Sequence, residues 1–237
     1  MAEAPARKSV RKSVHLVNNA LAADCLGENW NARTTPLPAV LKQWHGFFTG
    51  DPVKDHDIAN VVFISVILAL DVSWSVANKY ATDALASLLF TAFFYVSLIY
   101  FIADALWIAV VPKSCKTPGV VIGHHVVVIF YMSIPFFYPE YGWCMAACLS
   151  VETCTVLLIV KRLYPHRMLE AAFYTAWVVI RLIYYPYLCW AFFQIWVEVG
   201  PWHLVIFAPI FQVLLTCLSY FWTYTLVVNM LRRRKKP

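Results

Sequence analysis

The chain has 237 residues, of which 61% are hydrophobic and only 14% charged, with a formal net charge of +6. A soluble domain usually carries roughly 25% charged residues, so these proportions exclude an ordinary soluble enzyme and describe a polytopic membrane protein. The positive charge sits in flanks and short loops, where membrane topology accounts for it, so no nucleic-acid partner is expected.

Residues 1–57 are polar and hold no apolar run long enough to span a membrane. Within them Val10, Val14, Val17 and Leu21 recur at helical spacing among Arg7, Lys8, Arg11 and Lys12. That is the pattern of a basic amphipathic helix lying on an anionic membrane surface. Residues 4–23 are also basic, contain Ser and lack acids, so an organelle transit peptide is the competing reading. Pro36 and Pro38 then interrupt any helix, because proline removes a donor and restrains its predecessor. The stretch from Asp51 to Asp57 is expected as a charged approach to the membrane.

A span needs roughly 20 apolar residues. Six runs qualify, at 58–77, 84–111, 119–138, 142–160, 171–197 and 202–231. The expected fold is therefore all-α: a bundle of six transmembrane helices over 58–231, with both termini cytoplasmic. A cytoplasmic segment, 1–57, precedes it and a basic tail, 232–237, follows. The charges support this orientation. With the N-terminus inside, Lys113, Lys116, Lys161, Arg162, Arg167 and the tail from Arg232 to Lys236 are cytoplasmic. The far side receives Lys79 with Asp83, Glu140 and Glu198, as the positive-inside rule requires. Trp143, Tyr164, Tyr184, Tyr185, Trp190, Trp196 and Trp202 are assigned to interfacial belts at the predicted ends. The seven cysteines include no Cys-x-x-Cys pair. Cys144, Cys148, Cys154, Cys189 and Cys217 fall inside apolar runs, where cysteine usually acts as a small buried hydrophobe.

Ionisable groups at membrane depth are costly and mark function by default. With a rise of about 1.5 Å per residue, Asp104 lies about 10 Å inside the cytoplasmic end of the second run, and His124 and His125 about 8–9 Å inside the third. Glu152 comes out about 12 Å deep and Arg181 about 15 Å. Four consecutive spans thus place ionisable groups in one layer, which points to a common cavity. Adjacent helical residues point about 100° apart, so one of His124 and His125 is expected to face that cavity while the other bonds a neighbouring helix. Asp104 suits the role of accepting a ring N–H and fixing a tautomer. For Glu152 and Arg181 two readings stay open: a mutual ion pair, or contact with a lipid headgroup or carboxylate. Asp71 has no partner in the layer. Spacings of the H-x-x-H kind are absent from the runs, so neither a metal nor a resident cofactor is expected.

Taken in order, Asp104-Ala105-Leu106-Trp107, then His124-His125, then Glu152-Thr153, then Arg181 followed by Pro186 make an ordered set over some eighty residues. This set resembles the TLC-domain family, multispan membrane proteins that include ceramide synthases and smaller lipid-handling relatives. The resemblance covers roughly 58–231. Ceramide synthases follow their His pair with a Ser-Tyr, Asn and Arg-x-Gly motif and later paired aspartates. Residues 126–143 hold no such motif, so sphingoid N-acylation is not expected. The smaller relatives also carry an Arg/Ser/His segment before the first span, of which Arg33, Thr34, Thr35 and His45 are a distant echo.

The resemblance implies a protein that binds an acyl chain or phospholipid in an intramembrane cavity and contributes to membrane lipid homeostasis. The alternative is an acyl-CoA-dependent lipid acyltransferase in which His124 or His125 acts as base or nucleophile. Asp104 or Glu152 would then orient or charge-balance it, Arg181, Thr153 and Thr155 would contact substrate, and acyl-CoA would be co-substrate. A structural or cargo-binding membrane protein is the third reading. Arg234, Lys235 and Lys236 have the dibasic look of a retrieval signal, which together with the resemblance favours the endoplasmic reticulum. Another organelle membrane follows if residues 1–23 are a transit peptide.

Overall fold

A computed structural model describes residues 49–200 and 202–234, with side chains to residue 232. The amphipathic or transit segment expected within 4–23, Arg33 to Pro38, His45 and residues 235–237 lie outside the described residues. Two compact units are distinguished: Thr49–Tyr224, described here, and a second of which only Thr225–Arg234, the continuing last helix, is described.

Among the described residues six helical stretches are long and apolar enough to cross a membrane: Pro52–Tyr80, Asp83–Val110, Pro118–Phe137, Pro139–Leu163, Arg167–Val199 and Leu204–Arg232. Helix α1 (Pro52–Tyr80) begins six residues before the expected run. The Asp51 carboxylate caps it by accepting from the Val53 and Lys54 N–H groups, and Pro52 stands in the first turn, where its missing donor costs nothing. Asp55, His56 and Asp57 are therefore helical and buried rather than a charged approach. Helix α2 (Asp83–Val110) is capped by Thr82, and α3 (Pro118–Phe137) starts on Pro118. Helix α1 packs against α2, and α2 against α3.

The fourth span is broken. Helix α4 (Gly142–Leu149) and helix α5 (Glu152–Leu163) are separated by Ser150 and Val151. There the backbone tightens, with Val151 N–H donating to Cys148 O and Thr153 N–H to Ser150 O. The Ser150 hydroxyl donates to Ala147 O at 2.7 Å, the kind of side-chain competition that bends a helix without Gly or Pro. Gly142 opens α4 because the Phe90 ring of α2 lies 2.8 Å from where a Cβ would stand.

The fifth span is also irregular. Helix α6 (Arg167–Ala176) passes into a π-helical segment, Trp177–Tyr184, before α7 (Tyr185–Val199). Tyr185 N–H donates to Ile180 O, five residues back, and Pro186 follows without a donor of its own. A proline removes the ordinary i−4 bond, so the wider turn beside it has a local cause. The last span runs through α8 (Phe207–Arg234).

The core is aromatic and aliphatic. Phe93, Phe101, Tyr131, Tyr185 and Phe192 are among its largest fully buried side chains. Two tyrosines tie it together, Tyr131 donating to Cys144 O at 3.0 Å and Tyr185 to Cys148 O at 2.6 Å. Tyr184 and Tyr185 therefore sit mid-span, not in an interfacial belt, since 18 residues separate Tyr185 from the start of α6. Cys144, Cys148 and Cys154 are buried as expected, whereas Cys189 is half-buried and Cys217 exposed. The exposed large side chains include Val62, Leu88, Ile99, Leu106 and Ile183, an outer surface suited to hydrocarbon.

Candidate functional site

Asp104, in the last two turns of α2, holds two histidines at once. Its Oδ2 accepts from His125 Nε2 at 2.6 Å and its Oδ1 from His56 Nε2 at 2.7 Å. The three residues belong to α3, α2 and α1, and all are buried. His56 is absent from the expected site residues, because the charged stretch around it reads as preceding the membrane. The Asp51-Pro52 pair, an N-cap followed by a first-turn proline, is the signal that places the helix start ahead of it. By helical rise, His56 stands about 6 Å into α1 and His125 about 10 Å into α3. They meet Asp104 in one layer.

The two neighbouring histidines part company, as their 100° separation requires. While His125 bonds Asp104, His124 Nε2 lies 3.9 Å from Glu152 Oε1, and its ring stands edge-on to Trp222 of α8, with centroids 5.5 Å apart. The His124–Glu152 distance is too long for a hydrogen bond. Glu152 is the first residue of α5, placed by the break at Ser150–Val151. Half-buried Thr153 follows it immediately, and Thr155, two residues further along, is also half-buried.

Arg181 lies within the π-helical segment and is 6% exposed. Its guanidinium is flanked by the indoles of Trp177 at 4.6 Å and Trp222 at 5.1 Å. Nη1 donates to Ser219 Oγ at 3.4 Å, and among the described residues Nε has no partner. Of the two readings left open for Glu152 and Arg181, the mutual ion pair is not formed: the ion-pair neighbour of Glu152 is His124. Asp71, away from this layer, accepts from Ser75 Oγ at 3.4 Å.

The result is a chain of contacts to which every span contributes: His56, Asp104, His124 with His125, Glu152, Arg181, and Trp222 with Ser219. Trp222 touches both the imidazole of His124 and the guanidinium of Arg181, joining the parts. Three buried nitrogens in it have no hydrogen-bond partner among the described residues: His124 Nδ1, His125 Nδ1 and Arg181 Nε. Among the described residues no three His, Cys, Asp or Glu side chains are grouped to hold a metal ion.

Six membrane-length helices with polar residues gathered in their midst define the class: an integral membrane protein with a polar network buried in its bundle. A family model described as the TLC domain matches residues 58–228. The chain belongs to the TLC-domain family. No curated protein and no solved structure matches it. His56 stands two residues ahead of the matched region.

Proposed function

We propose that this protein binds a membrane lipid among its six spans and contributes to lipid homeostasis. The observation that carries the reading is the set of three unpartnered buried nitrogens within one network fed by every span. Unsatisfied polar groups are costly in a membrane interior, and a ligand with both donor and acceptor groups would satisfy them. Arg181 supports the headgroup end: its guanidinium lies against two indoles, its Nε is unpartnered among the described residues, and a guanidinium suits a planar oxygen pair. Thr153 and Thr155 are candidate contacts beside Glu152. The dibasic tail favours the endoplasmic reticulum membrane, and both termini in the cytoplasm accord with the loop charges.

A second reading, acyl transfer, is favoured by the His125–Asp104 pair. An imidazole whose Nε2–H is given to a carboxylate presents Nδ1 as a base. Nδ1 would take the proton of a lipid hydroxyl as that oxygen attacks the acyl-CoA thioester. CoA would leave as thiolate and recover the proton, giving an ester and free CoA.

The test is mass spectrometry of lipids held and formed by the purified protein, wild type beside His124→Ala/His125→Ala, with labelled acyl-CoA and mixed membrane lipids. Lipid retained by wild type alone, with no labelled product, is the expected result. A labelled product made by wild type alone would establish the acyltransferase. Equal behaviour of two folded proteins would make the His pair structural.

A further inference from the structure

We infer that His56 is a positioning residue of this site: through Asp104 it holds His125 with Nε2 protonated and Nδ1 bare, so the ligand group received there is a hydrogen-bond donor, a hydroxyl or N–H. The first half of this stands on geometry alone; the second rests on the lipid-binding reading above.

An ionised carboxylate is an acceptor only, so a ring nitrogen at 2.6 or 2.7 Å from its oxygens must carry the hydrogen. Asp104 has one oxygen engaged by each imidazole. It cannot turn away from His125 without also breaking with His56, and that coupling makes the second histidine a constraint on the first. His125 is further confined by the rings of Phe101 at 5.3 Å and Tyr100 at 6.4 Å. With Nε2 as its donor, the neutral ring has Nδ1 as an acceptor, the buried atom without a partner.

His56 is itself held from both sides. Asp55 accepts from Thr49 N–H and its hydroxyl at 2.6 and 2.7 Å, pinning the residues before α1. Asp57 accepts from Arg162 Nη2 of α5 at 2.6 Å. The His56 ring lies 6.0 Å from that of Trp107. Three successive residues, Asp55, His56 and Asp57, thus bind three different elements, and the middle one reaches the site. A site bounded by the TLC match at residue 58 would leave this anchor out.

The chemistry also divides the ligand. Arg181 can only donate, so it takes acceptor oxygens, whereas bare Nδ1 of His125 can only accept. The ligand class that meets both is an amphiphile with a free hydroxyl or N–H near its ester or headgroup oxygens.

Ring nitrogen-15 NMR on the full-length protein in lipid nanodiscs reads the tautomer directly, with His125 assigned by substitution. Wild type is expected to show His125 as a single Nε2–H tautomer. His56→Leu should lose that single state and His56→Gln, which restores an N–H donor, should recover it. If His56→Leu does not fold, His56→Phe, a ring without an N–H, replaces it and should likewise lose the single tautomer. A wild-type Nδ1–H tautomer, or an unchanged His125 signal in the folded variants, overturns the positioning role. The donor claim is read by native mass spectrometry with 1-acyl-lysophosphatidylcholine against its 2-O-methyl ether. About tenfold preference for the free hydroxyl is expected from one hydrogen bond of this kind. Equal retention of the two overturns it. Retention of neither sinks the lipid-binding reading, while the tautomer still decides the place of His56.

Discussion

At Asp104 both carboxylate oxygens are taken, at 2.7 and 2.6 Å, by histidines from two other spans. At Arg181, which lies against Trp222, the guanidinium donates to Ser219 at a long 3.4 Å and leaves Nε without a partner among the described residues. Both groups are buried to a similar degree, at 6% exposure. Burial alone therefore does not separate them; satisfaction does. A group whose hydrogen-bonding capacity is filled from within the bundle contributes to holding helices together. A group with capacity to spare has it available for something the chain does not supply.

The contrast can be broken from either side, and stability should respond most. Asp104→Ala leaves two buried imidazole N–H groups without their acceptor, and at about 1.5–3 kcal/mol for each hydrogen bond to a charged group the loss should be about 3–5 kcal/mol. Unfolding of the purified protein in detergent should show a loss of that size. A loss below about 1 kcal/mol would mean that the bridge carries no structural load. Arg181→Gln should do the reverse. Its long hydrogen bond to Ser219 leaves little stability to lose, less than about 1.5 kcal/mol. Lipid retention should instead fall about 10- to 100-fold, the worth of one charge-assisted hydrogen bond. Arg181→Lys should fall between, since it keeps the charge but not the fork. If Arg181→Gln unfolds the protein as readily as Asp104→Ala does, the open half is structural too.

How far the sequence exposes this arrangement depends on which coordinate is asked for. Depth along a helix follows from counting residues, and it placed Asp104, His124, His125, Glu152 and Arg181 in one region of the bundle. Azimuth does not follow from counting. Glu152 and Arg181 look like natural ion-pair partners by depth, yet Glu152 is directed to His124, and Arg181 is set among indoles on a widened turn. Pro186 hints at that turn, whereas Ser150 gives no comparable sign of the break before Glu152. His56 was hidden for another reason. Asp55 and Asp57 make the stretch look too polar to enter the bundle, although each finds its own partner: Thr49 for one and Arg162 for the other. Polar residues that satisfy one another locally can begin a span, and hydropathy does not register this.

The smallest expected effect sharpens the account of the Asp104 bridge. Cys115 lies in the connection between α2 and α3, and burial pushes its thiol above the usual value, with the charge of Asp104 acting in the same direction and a Thr117 backbone hydrogen bond opposing them. Maleimide reacts with the thiolate, so Cys115 should label more slowly near pH 8 than an ordinary thiol and gain rate as pH rises. Peptide-level mass spectrometry reads that rate residue by residue. Asp104→Asn removes the negative charge, favours the thiolate, and should raise the rate modestly, about twofold for a partly screened charge. The size of the rise reports how much charge the bridge presents to its surroundings. If the substitution leaves a folded protein with Cys115 unchanged, the negative charge is already cancelled at home. The two histidines would then share one additional proton between them, and Asp104 would be paired with a single imidazolium charge rather than standing as an anion flanked by two neutral rings.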